Sequence, residues 1–111
     1  MMNNTIFYPD QLISLIETHG SKMSFHKGDY IYHPGDETTY IYTIKKGQVF
    51  ISRMQPEGVE LATNLISEKG IFGAVTLFCG PKVHATYAKA KVNTEIYKIS
   101  RKRFETLIIR K

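Results

Sequence analysis

Four histidines, one cysteine and a glycine-bounded apolar segment are the parts of this chain whose residue types could do chemistry. Imidazole ligates zinc, copper, iron and nickel, but a metal site needs several ligands that converge. The histidines are His19, His26, His33 and His84. Metal barrels of the cupin type place two ligands one residue apart on a strand, and no His-x-His occurs here. His26 and His33 fall on separate predicted strands, and the spacing offers neither of them a neighbouring histidine or carboxylate as a co-ligand. No metal and no cofactor are expected. Cys79 sits in an apolar stretch, the setting of a small packed side chain and not of a nucleophile or haem ligand. A single cysteine also excludes an internal disulfide and any four-cysteine iron–sulfur or zinc centre. No Ser–His–Asp or paired-carboxylate arrangement is suggested, so the chain reads as a non-enzyme.

The segment Gly70-Ile71-Phe72-Gly73-Ala74-Val75-Thr76-Leu77-Phe78 carries a different chemistry. A glycine-flanked turn that opens a helix leaves backbone N–H groups unpaired, and these attract phosphate or carboxylate. A buried helix plugging one end of a barrel accounts for the same residues.

Charge is unevenly spread. Residues 1–81 hold six Lys/Arg against eight Asp/Glu, a balance of −2, and residues 82–111 hold nine against two, a balance of +7, which together give the net +5. Such asymmetry suits an anionic partner or, more plainly, a solvated basic helix. With 42% hydrophobic and 23% charged residues the 111-residue chain has globular composition, enough for one domain and too little for two. No apolar run approaches a membrane span and no signal peptide is evident, so a reducing, cytoplasmic setting and no membrane partner are expected.

The elements that must position these residues follow from periodicity. Residues 6–19 predict a helix with Asp10 as N-cap and Leu12, Ile13, Leu15 and Ile16 on one face, stopped by Gly20. Beyond Gly20, apolar and polar residues alternate with Gly or Pro about every ten residues, the pattern of a sandwich or barrel of short antiparallel strands. Strands are predicted over 23–26, 30–33, 40–45, 48–54, 60–66, 84–91 and 95–99. Residues 71–80 predict a short buried helix opening near Gly73. The tyrosines fit strand packing, not base stacking. Ser100 should cap a helix over 101–109 with Phe104, Leu107 and Ile108 on one side.

The order of the turns is then informative. Phe25-His26-Lys27-Gly28-Asp29, His33-Pro34-Gly35-Asp36, Ile44-Lys45-Lys46-Gly47, Ile71-Phe72-Gly73 and Glu95-Ile96-Tyr97-Lys98-Ile99 together resemble the cyclic-nucleotide-binding domain, in particular the sensor half of the catabolite activator/FNR (Crp/Fnr) family of bacterial transcription regulators. The resemblance covers about residues 20–110. It implies a mainly β chain, a double-stranded β-helix (jelly roll) with short flanking helices. One sensor domain would fill 1–111: an N-terminal helix at 6–19, the roll at 20–99 and the start of a long helix at 100–111.

In relatives that bind a cyclic nucleotide, the short-helix segment cradles the phosphate, a Glu after the Phe-Gly pair accepts from the ribose, and an Arg some ten residues on pairs with the phosphate. Here Gly73 is kept, Ala74 stands at the Glu position, His84 at the Arg position, and Ala85 with Thr86 at the neighbouring hydroxyl position. The candidate effector site is thus Phe72, Gly73, Ala74, Val75, His84, Ala85 and Thr86. Alanine cannot accept from a sugar, and histidine cannot reproduce a bidentate guanidinium–phosphate pair. The expected function is effector sensing without a cyclic AMP response, the effector being an unknown small molecule or none. DNA would be bound only through a helix-turn-helix beyond residue 111. A homodimer is expected of the complete protein, and a monomer or weak dimer of this fragment. The alternatives are a stand-alone cyclic-nucleotide-binding module and a cupin-like metal-binding enzyme.

Overall fold

The structure, a computed structural model, describes residues 9–73 and 83–109. Helix α1 (Pro9–His19) leads into strands β1 (Ser21–Phe25), β2 (Tyr30–Tyr32), β3 (Tyr40–Lys46), β4 (Val49–Met54), β5 (Glu60–Ile66), β6 (Ile71–Phe72), β7 (Tyr87–Ala90) and β8 (Thr94–Ser100), and helix α2 (Arg101–Ile109) follows. The strands form two four-stranded antiparallel sheets, ordered β1-β8-β3-β6 and β2-β7-β4-β5. This is the expected jelly roll.

Strand alternation decides what fills it. Ile96 on β8 lies opposite Met23 on one side and Ile44 on the other. Ile96 and Ile44 face inward with Tyr42 and Phe72, and meet Val49, Ala88 and Tyr32 from the second sheet. The intervening residues of the first sheet point the other way. Ile41 and Ile99 pack with Ile16 of α1 and Phe104 of α2 in a second core. The 3–4 spacing that predicted both helices therefore reflects two apolar stripes laid on one sheet. The hydroxyl of Ser100 accepts from the Arg103 backbone N–H at 3.0 Å, the expected cap of α2.

Three expectations change. Asp10 lies inside the first turn of α1, one residue past its start, so it acts on the helix dipole and not as the N-cap. The segment predicted as a buried helix from residue 71 begins as a strand: Phe72 pairs with Tyr42 and Ile71 with Thr43, because the edge of β3 needs a partner. Its continuation over 74–80, with Ala74, Val75 and Cys79, lies outside the described residues. The strand predicted over 84–91 is ordered as a strand only at Tyr87–Ala90. His84 pairs instead with the loop after β2, its carbonyl accepting from Gly35 N–H at 2.9 Å and its N–H donating to the Asp36 carbonyl at 2.8 Å. Among the described residues no helix is long and apolar enough to cross a membrane.

Candidate effector site

The end of β6 and the chain that returns at Val83 lie against the ends of β2 and β3. Val83 bridges to Glu37, and His84 is clipped to Gly35 and Asp36. Four of the seven predicted site residues gather there. Phe72 stacks on Tyr42, ring centroids 4.9 Å apart and planes 15° from parallel. Gly73 has φ of +80°, and a Cβ on it would stand 2.8 Å from the Tyr42 ring, so only glycine fits this turn. His84 lies flat on Tyr32, centroids 3.5 Å apart and planes 8° from parallel. The Thr86 side chain hydrogen-bonds the Tyr32 hydroxyl. Ala85 between them is exposed. Ala74 and Val75 lie outside the described residues.

The electrostatics of this cluster are those of a neutral aromatic site. His84 is only 6% exposed. Burial pulls its pKa below the ordinary 6.5, and the nearby Asp36 carboxylate opposes that only in part. Burial pushes Tyr42 up to about 12, and pushes Tyr32 up as well, against the Thr86 hydrogen bond. At neutral pH the imidazole offers one donor and one acceptor and no charge. An uncharged imidazole lacks the charge and the bidentate geometry that a guanidinium brings to a phosphate.

Because folded His84 takes up a proton less readily than the unfolded chain, its contribution to stability is complete above pH 6.5 and is lost as pH falls below that value toward its folded pKa. Tyr32 covers one face of the ring, and its own pKa is raised, away from that window. The wild type is expected to lose stability between neutral and mildly acidic pH, and His84→Phe, which keeps the stack, to lose less. Urea unfolding of both proteins across this range checks it. Identical pH slopes would refute the assignment.

The residue that sequence reasoning left out is Tyr32, the platform under His84. Its signal was the paired spacing Tyr30/Tyr32 and Tyr40/Tyr42, which puts two rings of each strand on related positions. A second omission concerns the turns. In His26-Lys27-Gly28-Asp29 and in His33-Pro34-Gly35-Asp36 the Asp carboxylate accepts from the His backbone N–H at 2.8 Å and stands 3.7 Å from the imidazole Nδ1. Each histidine does have a carboxylate nearby, three residues on, as part of a turn. Among the described residues no three His, Cys, Asp or Glu side chains converge as a metal site.

Residues 22–111 match the family model described as the cyclic nucleotide-binding domain. The chain belongs to the cyclic nucleotide-binding domain family. Its relatives include the global nitrogen regulator of Synechococcus elongatus, 33% identical over 63 residues that make up 57% of this chain and 28% of that protein. The cAMP-activated global transcriptional regulator CRP of Haemophilus influenzae is 27% identical over 99 residues, 89% of this chain and 44% of that protein. Among solved structures, the c-di-GMP responsive global regulator CLP of Xanthomonas campestris superimposes with a TM-score of 0.83 at 19% identity, over 91% of this chain and 49% of that one. These are Crp/Fnr-type regulators, and this cyclic nucleotide-binding domain spans less than half the length of each.

Proposed function

We propose that the chain is the effector-sensing domain of a Crp/Fnr-type transcription regulator whose effector is not cyclic AMP. The observation that carries the reading is the buried, uncharged His84 stacked on Tyr32, at the position where the family resemblance places a phosphate-binding arginine. The family match supports the sensing role, and the relatives' names support transcription regulation. In this reading the helix at 6–19, the roll at 20–99 and the helical start at 100–111 are parts of one sensor. Phe72, Gly73, His84 and Thr86 line its effector site together with Ala74, Val75 and Ala85. An uncharged effector with an aromatic or apolar face suits that lining better than a phosphodiester does. Its binding would bias two packings of the roll against α2, and an attached helix-turn-helix would read the difference.

Titration calorimetry of the chain with cyclic AMP tests the proposal. Weak or no binding is expected. A sub-micromolar dissociation constant, more than about 8 kcal/mol, would overturn it, because the backbone donors near Gly73 should not supply that much without the Glu and Arg partners.

A further inference from the structure

We propose that the groove between β1, β2, β3 and β8 is a second small-molecule site, shaped for an aromatic amino acid in its zwitterionic form. The groove encloses about 500 Å³, the size range of small-ligand pockets. Phe25, Tyr32, Tyr40 and Tyr42 supply aromatic surface, Lys98 supplies a positive charge, and Asp36 and Glu37 supply negative ones.

Lys98 is the residue that needs explaining. On β8 it continues the row of Thr94 and Ile96, both buried, and it lies opposite Ser21 and Tyr42. A lysine on a core-facing row is unusual unless its charge is met. The ammonium stands 4.0 Å from the centre of the Tyr40 ring. Every Asp and Glu of the sequence lies among the described residues, and none of them is within ion-pair distance of Lys98. The ring face supports the cation but leaves its hydrogen-bond donors unused.

Glu37 has the opposite charge and the same freedom. Its backbone is fixed by the bridge to Val83 and by the Thr39 N–H, which donates to its carbonyl at 3.0 Å. Among the described residues its carboxylate has no hydrogen-bond or ion-pair partner. Asp36, also in the groove, is already engaged by the His33 backbone N–H at 2.8 Å. A simple carboxylate would meet Lys98 favourably and Glu37 unfavourably, and a simple amine the reverse. An amino acid satisfies both with its two charges, and an aromatic side chain has rings to stack on. Occupancy would also reach α2. Thr39 lines the groove, and its carbonyl accepts from the Arg101 N–H at 2.8 Å, at the first residue of that helix.

Phe72, Gly73 and His84 do not line this groove, but Tyr32 and Tyr42 line it and also stack on His84 and Phe72, so the groove adjoins the effector site proposed above across those two rings. Titration calorimetry with L-phenylalanine, phenylacetate and phenethylamine tests it on the full chain. L-Phenylalanine is expected to bind at least about tenfold more tightly than either single-charge analogue, and Lys98→Met and Glu37→Gln each to weaken it by about tenfold or more. Exposed Glu37 provides the second variant should Lys98→Met disturb the fold, which its unfolding midpoint reports. Absence of binding by all three compounds at millimolar concentration would overturn the proposal. So would phenylacetate binding as tightly as phenylalanine, or affinity unchanged in Glu37→Gln. The cyclic AMP titration is read separately, and because Lys98 and Glu37 are not among the effector-site residues, the two variants distinguish the groove from that site.

Discussion

Replacing Tyr32 by alanine is expected to cost about 3–5 kcal/mol of stability, the range for truncating a large buried aromatic side chain. The ring is 6% exposed and touches three others: His84 flat on its face, Tyr42 at 5.9 Å and Phe72 at 6.3 Å. Loss on this scale is a large share of the roughly 5–15 kcal/mol that holds a domain folded. A second readout separates the site from general packing. With its platform gone, the His84 ring gains solvent, so its pKa should climb back toward 6.5, which an NMR titration of the imidazole measures. Tyr32→Phe keeps the stack and removes only the hydrogen bond with Thr86, a change of about 1 kcal/mol. A Tyr32→Ala variant as stable as Tyr32→Phe, with His84 titrating as in the wild type, would mean that the stack does not organise the site.

The second large effect is expected at Gly47, where the chain bends from β3 into β4. Its φ is +110°, and a Cβ there would stand 2.8 Å from the Thr94 Cα and 2.5 Å from the Thr94 hydroxyl. Thr94 cannot give way. It is 2% exposed, and its hydroxyl donates its one hydrogen to the Val92 carbonyl at 2.7 Å, with the Gln48 carbonyl as the alternative acceptor at 3.1 Å, and accepts from the Gln48 N–H. Gly47→Ala therefore combines a disfavoured backbone with overpacking, on the order of 2–5 kcal/mol. Gly58 makes the control. Its φ is +89° but nothing lies within 4 Å of a Cβ, so Gly58→Ala carries the backbone cost alone. Denaturant unfolding of the two variants should rank Gly47→Ala well below Gly58→Ala, and equal midpoints would show that Thr94 does yield.

Most of the strands were legible because Gly and Pro turns bound them and because burial of one face, as in β7, imposes period two on the residues. Strand β5 is exposed along most of its length and was legible from alternation and its bounding turns alone. The bounds of β5 were read without error, and those of β3 and β4 to within a residue. Legibility failed where a segment's partner was not a regular strand. His84 continues an alternating pattern but pairs with a loop, and no periodicity reports that. The family resemblance located His84 and Thr86 as site positions, but their meeting with Tyr32 depends on a pairing between residues some fifty positions apart. Local sequence carries no trace of such a pairing. The free charges of Lys98 and Glu37 were invisible for the same reason: a lysine on a strand reads as solvent-facing until the register of its neighbours places it on the inner row.

The first sheet is covered on both sides at its centre, with Ile44 and Ile96 in the roll and Ile41 and Ile99 under the helices. A one-residue slip of β3 or β8 would swap these two rows and expose neither to water, but it would exchange their shapes and send Lys98 beneath α1 and α2. Register change is thus closed to this sheet as a way of moving. The sheet meets the helices closely, where Gly20 abuts the carbonyls of Lys98 and Ile16 and where the Thr39 carbonyl accepts from the Arg101 N–H. Both α1 and α2 rest on this one sheet, so a displacement of the sheet would be felt by the two helices together.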